Sequence, residues 1–289
     1  MANARQLTRR ITTAKNISQI TKAMEMVAAS KMQRSQEQAL ASRAYTRAIQ
    51  NSLKIIAQNT DQSLHPLLST HEEGSDVMVL ISTDKGLVGG LNTNLYKAAF
   101  SWKKSVANPK VIAVGRRAVH FCRLAKLEII AQFTDLPDMA KPEDTLPIAQ
   151  LAMTSFLSKE YKSVTIIYTD FINTLKQEVR KWQLLPVAAD EYESESMLSP
   201  EPTKEYLFEP NAKELLNQLL PYYIENTLFQ ILLEAKASEH SARMVAMKNA
   251  SENAGELVSE LKLVFNKTRQ AAITTELLDI TTATLSISG

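Results

Sequence analysis

The stretch of this 289-residue chain that comes nearest to chemistry by residue type and spacing is Gly-Leu-Val-Gly-Gly-Leu-Asn at 86–92. It follows a β-branched run and precedes a helical pattern, the place where backbone N–H groups at a helix N-terminus can hold a phosphate. Neither GxGxxG nor GxxxxGK[ST] spacing is present, and the next strand pattern ends on Gly115-Arg116-Arg117 instead of the acidic residue that a ribose requires. The glycines therefore read as a tight strand-to-helix turn. The four histidines, His65, His71, His120 and His240, have no metal-ligand spacing, and Cys122 is the sole cysteine, so no zinc site is expected. No GxSxG elbow or HExxH helix organises the serines and acids, and Glu72 with Glu73 read as a solvated loop. The expectation is a chain with no catalytic residue, no cofactor and no metal.

Charge is more informative than chemistry. The whole chain carries a net charge of only +2, yet residues 1–60 hold ten cations against Glu25 and Glu37, a net of +8, while 211–289 hold seven basic and nine acidic residues. A basic helix of this kind suits an acidic protein surface or nucleic-acid phosphates. Residues 1–44 contain no aromatic side chain on which bases could stack, which weakens the second reading. A coiled-coil nucleic-acid-binding or scaffold protein is the alternative kept open by residue pattern alone.

Breaker residues show which elements must position these charges. Residues 1–65 contain neither glycine nor proline, and 222–288 contain only Gly255, whereas all ten prolines lie between 66 and 221. Two long helices at the ends and a folded domain between them follow. At ~1.5 Å per residue the end helices would be about 90 Å and 110 Å long, more than a compact domain holds, so they are expected to pair as an antiparallel coiled coil. The apolar series Ile17, Ile20, Met24, Val27, then Tyr45, Ile49, Leu53, Ile56 predicts the seam on the first; Leu215, Leu219, Tyr222, Phe229, Leu232, Met244, Met247, Leu257, Leu261 and Val264 predict it on the second. Small residues such as Ala23, Ala28, Ala39, Ala237, Ser241 and Ala254 are expected to bring the axes close. From about Thr268 the second helix outruns the first and should need an external partner.

The middle changes period. Strand-like runs at 77–83, 110–115, 127–133, 163–171 and 178–187 alternate with helical patterns near 91–105, 116–125 and 145–158. The fold class is α/β: a long antiparallel coiled coil of N- and C-terminal helices plus a central Rossmann-like α/β domain with a mostly parallel five-stranded sheet. The expected divisions are 1–65, 66–210 with an acidic linker loop at 188–210, and 211–289. No run of 18 apolar residues is present. The Arg-rich start continues without a cleavage zone and reads as mature protein.

Two segments, ITKAMEMVAASKM at 20–32 and SEHSARMVAMKNASENAGELVSELKLVFNKTRQAAITTELLDI at 238–280, resemble the gamma subunits of F-type ATP synthases. STDKGLVGGLNTNLY (82–96), YLFEP (206–210) and LLPYYIENTLFQILLEAKASEH (219–240) are similar to the same family, in order along the chain. The resemblance implies a rotor shaft inside a hexamer of alpha and beta subunits, its α/β foot joined to the epsilon subunit and the c-subunit ring of a proton-translocating machine, with ATP chemistry on the beta subunits. It implies no nucleic-acid partner and a peripheral location on the cytoplasmic face of a bacterial inner membrane. By the same resemblance Lys22, Met24 and Glu25 would face the acidic lever of beta, and Arg269, Gln270, Thr274 and Glu276 the hexamer's catch on the upper shaft. Lys31, Arg34 and Tyr206 would lie toward the c ring and epsilon. Val88 stands where many relatives carry cysteine, and a cysteine-bearing regulatory insertion is absent.

Overall fold

The computed structural model describes residues 2–58, 65–187, 209 and 211–287. Two compact units divide it: Met1–Ala28 with Arg243–Gly289, and Ala29–Ala242. Helices α1 (Ala2–Gln58) and α5 (Ala212–Ile287) each contribute residues to both.

The unit Ala29–Ala242 is built on a sheet of β1 (Ser75–Ile81), β2 (Pro109–Val114), β3 (Glu128–Phe133), β4 (Tyr161–Phe171) and β5 (Gln177–Leu185). Its order is β3-β2-β1-β4-β5, parallel except for β5, which pairs antiparallel with β4. The link from β4 to β5 is too short for a crossover, so a hairpin is the only connection available. Asn173 shapes that turn, its side-chain oxygen accepting from the backbone N–H groups of Leu175 and Lys176 at 2.9 and 2.8 Å. Helices α2 (Leu91–Ser105), α3 (Arg116–Leu124) and α4 (Pro142–Leu157) supply the crossovers.

Alternation along β1 separates two cores. Val77, Val79 and Ile81 face Ile49, Leu53 and Ile56 of α1, Ile148 and Phe156 of α4, and the Leu216–Leu233 stretch of α5. Met78 and Leu80 face Leu95 and Trp102 of α2 and Ala118 and Cys122 of α3. Both faces are covered, which is why the strands read as continuous apolar runs and not as alternating ones. Helix α4 starts at Pro142, ahead of the expected 145, because proline is preset for a first turn and Asp144 accepts from the Lys141 N–H at 2.7 Å. In this unit α1 and α5 run antiparallel: Gln230 donates to the Ala39 carbonyl at 3.3 Å, and the hydroxyls of Tyr45 and Tyr222 meet further along α1 and further back along α5. The acidic linker expected at 188–210 falls almost wholly outside the described residues.

In the unit Met1–Ala28 with Arg243–Gly289, the two helices pair with each other. The hydroxyls of Ser18 and Ser251 each donate to the other residue's carbonyl, at 3.3 and 3.2 Å. On α1 the covered positions are Ile11, Ala14, Ser18, Thr21, Glu25 and Ala28, a regular alternation of three and four; on α5 they include Met247, Ser251, Ala254, Val258, Leu261, Phe265 and Thr268. The predicted seam is thus borne out at Met247, Leu261, Ala28 and Ala254 and corrected elsewhere. Ile17, Ile20 and Val27 are 47, 59 and 56% exposed, Ala23 is exposed, and Leu257 and Val264 face outward on α5. In the other unit, Tyr45 and Tyr222 are likewise half-exposed, whereas Ile49, Leu53 and Ile56 are buried as expected. The physical reason on α1 is size: helices that approach closely place alanine and serine between them, so Ile17, Ile20 and Val27 lie one position away, on the outer face.

Candidate functional site

The outer face of α1 in the first unit combines two properties. Ile17, Ile20, Met26 and Val27 are exposed, and around them stand Arg5, Arg9, Arg10, Lys15 and Lys22, also exposed. Among the described residues Arg5, Arg9, Arg10 and Lys15 make no ion pair, whereas Lys22 reaches Glu25 at 3.0 Å across one helical turn. Glu25 sits on the covered stripe with its side chain 17% exposed, and Lys22 points out at 58%. Met24, half-buried, lies on the other flank of that stripe, about 160° around the helix from Lys22. Of the three residues expected at the lever, the cation is the member presented outward.

On α5 the covered stripe ends at Thr268, and every residue from Arg269 to Ala283 is exposed. Arg269, Gln270, Thr274 and Glu276 all lie in this stretch; the Thr274 hydroxyl donates back to the Gln270 carbonyl at 3.0 Å, a bond within one turn. In the same stretch Ile273, Leu277, Leu278 and Ile280 are 48 to 61% exposed. An isolated helix in water gains little from such residues. Their retention fits a surface that is covered by another molecule.

In the second unit the expected foot contacts separate. Lys31 is held by Asp138 at 2.6 Å, and His240, almost wholly buried, places Nε2 3.6 Å from the other Asp138 oxygen. Burial pushes the Asp138 carboxyl upward, but the Lys31 hydrogen bond and the charges of His240, Lys31 and Lys236 outweigh it and hold the group below the usual carboxylate range. Arg34 is exposed on α1, and Tyr206 lies outside the described residues. The glycine turn at 86–92 is filled from within. Leu87 and Gly89 adopt φ of 64° and 56°. Asn92 donates to Thr83 Oγ1 at 2.8 Å, and an Arg117 nitrogen lies 2.8 Å from where a Gly86 Cβ would stand. The neighbouring Gly115, at φ +90, could carry no Cβ because the Ser82 carbonyl oxygen would be 2.4 Å away. The space beside Asn92 measures about 20 Å³, room for one water.

A shaft-like pair of helices with outward apolar and cationic residues is a geometry; sequence comparison supplies the lineage. The family model described as ATP synthase matches residues 3–287. The chain belongs to the ATP synthase gamma family. Among its gamma-family relatives, the ATP synthase gamma chain of Dehalococcoides mccartyi strain 195 is 42% identical over 283 residues, covering 97% of each chain. That of Glaesserella parasuis is 40% identical over 291 residues, covering 99% of this chain and 100% of the relative. Among solved structures, a chain of the central stalk and c-ring of the Tetrahymena thermophila mitochondrial ATP synthase aligns with a TM-score of 0.62 at 26% identity, over 80% of this chain and 99% of that one. A chain from the Euglena gracilis mitochondrial ATP synthase gives 0.67 at 18% identity, over 99% of this chain and 95% of that one, a likeness of fold. For a gamma-family chain, the residues that sequence pattern missed are Ile17, Ile20, Met26 and Val27 as an outward surface. The three-four phase of Ala14, Ser18, Thr21, Glu25 and Ala28 was the signal that could have found them.

Proposed function

We propose that this chain is the central rotor shaft of a proton-translocating F-type ATP synthase, transmitting torque between a membrane c ring and a catalytic hexamer of alpha and beta subunits while catalysing nothing itself. In this reading the segments 1–65 and 211–289 form the shaft and 66–210 the foot that meets epsilon and the c ring. The complex sits with this chain on the cytoplasmic face of a bacterial inner membrane. Lys22, Met24 and Glu25 contact the lever of beta; Arg269, Gln270, Thr274 and Glu276 contact the hexamer near the tip. Toward the c ring and epsilon, Arg34 presents an unshared cation, Lys31 divides its charge with Asp138, and Tyr206 belongs to the same proposed contact.

The observation that carries the reading is the helix from Arg269 to Ala283, exposed throughout and rich in large apolar residues. Inside an apolar sleeve such a helix gains the burial it lacks alone, and beyond Asp279 it offers no charged side chain to form a fixed ion pair that would resist turning. Reconstitution tests this: alpha and beta subunits should assemble into a stable, active hexamer only with the chain, and equal assembly and activity without it would end the proposal. Met24→Lys adds a cation beside the proposed lever of beta. The expected outcome is intact assembly with ATP-driven proton pumping reduced several-fold; unchanged pumping would remove Met24 from the lever contact.

A further inference from the structure

A cavity among the described residues opens between helices α1 and α5 and strands β4 and β5. It measures about 460 Å³ and is walled by Arg43 of α1, Asp170 of β4, Arg180 and Trp182 of β5, and Gln230 and Glu234 of α5. This volume is in the range of small-molecule sites. All six residues belong to the unit Ala29–Ala242.

Its four charges form two pairs of the same build. Arg43 meets Glu234 at 3.1 Å and Arg180 meets Asp170 at 2.9 Å. In each pair the carboxylate is the buried member, 11 and 7% exposed, and the guanidinium the open one, 37 and 51% exposed. Burial pushes the Glu234 carboxyl upward, against the pull of Gln230 and Arg43. A ligand entering the cavity therefore meets two guanidinium forks backed by acids, and each fork carries five N–H donors of which the carboxylate uses few. Among the described residues, two buried polar atoms of the lining have no partner: Thr227 Oγ1 and Gln230 Oε1. The Gln230 amide nitrogen is already committed to Ala39 O and Glu234 Oε1, so its oxygen is fixed in place as an unmet acceptor. An unmet buried acceptor is costly and points to a missing donor. Trp182, half-buried on β5, and Phe171 on β4 add apolar ring surface.

We propose that this cavity binds a small organic phosphate of mononucleotide size, its phosphate on Arg43 and Arg180, its flat ring on Trp182, and a ring N–H donor on Gln230 Oε1. Bidentate guanidinium recognition suits a phosphate oxygen pair, and arginine is not replaceable by lysine at such a contact.

The chain has two tryptophans, so in full-length chain carrying Trp102→Phe the fluorescence reports Trp182 alone. Adenosine monophosphate is the probe. Saturable quenching with half-saturation below ~1 mM is expected. Inorganic phosphate should compete, adenosine should bind at least about tenfold more weakly, and R43K or R180K, which keep the charge beside the buried acid but lose the fork, should each weaken binding about tenfold. Absence of saturation at ~10 mM would overturn the proposal, as would equal quenching by adenosine or indifference to both lysine variants. Circular dichroism of both variants confirms that any loss is of binding and not of fold.

Discussion

Two residues whose burial fixes their chemistry behave predictably. Cys122 lies in the core between α3 and the sheet, fully buried, and burial pushes its thiol up to about 12. The thiolate is the reactive form, so the folded chain should resist a thiol reagent at pH 8 and react fully once unfolded in urea. Rapid labelling of the native chain would contradict the packing. His65 is buried at the start of the 3₁₀ turn Pro66–Leu68, where its Nδ1 accepts the Leu67 N–H at 3.1 Å. Burial holds its imidazole below the ordinary value. A folded pKa below the unfolded one gives stability that is present above about pH 6.5 and is lost as pH falls toward the folded value. His65→Asn keeps an acceptor for Leu67 but cannot titrate. It should flatten the fall in stability between pH 7 and 5, measured by urea denaturation; an unchanged slope would place the titration elsewhere. Asp138 acts in the same direction at lower pH, since its carboxyl is held below the usual range by Lys31 and its neighbours.

At the scale of elements, the pairing of α1 with α5 in the unit Met1–Ala28 with Arg243–Gly289 rests on small residues. Ala14 is 3% exposed on α1, in the unit that α1 shares with α5, whereas Ala23 faces solvent. Ala14→Leu should force the helices apart and destabilise their pairing by roughly 1 to 3 kcal/mol, while Ala23→Leu should change it by less than about 0.5 kcal/mol. Amide hydrogen exchange across 5–28 and 247–268 reads this difference directly, and equal protection in both variants would mean that the covered stripe is wrongly placed. The same contrast explains what sequence could reveal. Strands were legible because Val77–Ile81, Val111–Val114 and Ile166–Tyr168 are apolar runs bounded by Gly115, Pro109 and Pro186. Helix ends were legible from the absence of breakers. The phase of the seam on α1 was only partly so, because pattern reading follows large apolar side chains, and here Ile17, Ile20 and Val27 lie outside while Ala14 and Ser18 lie within. The Arg43–Arg180 cavity was invisible for another reason: its walls come from 43–50, 168–182 and 227–234, and no local spacing links them.

For the whole molecule, the two units are held by different means. The unit Ala29–Ala242 has an apolar core on each face of its sheet, whereas the other has one covered stripe and then, from Arg269, none. Stability and assembly should consequently separate. Exposed side chains contribute little to folding, and Ile280–Ala283 are exposed, so removing 280–289 should leave the urea midpoint of the full chain within the ~0.5 kcal/mol typical of surface changes. Those residues include Ile280, 61% exposed, and lie just beyond Leu277 and Leu278, so their loss removes apolar surface that only a surrounding partner could bury. At about 25 cal/mol per Å² that surface is worth a few kcal/mol to an assembled complex. A chain ending at Asp279 should therefore fold normally yet form a less stable hexamer with alpha and beta subunits, dissociating at lower urea in native gels. If the truncated chain assembled with undiminished stability, the tip would not be seated in an apolar sleeve. If it lost its own fold, the exposure of Arg269–Ala283 would be the error.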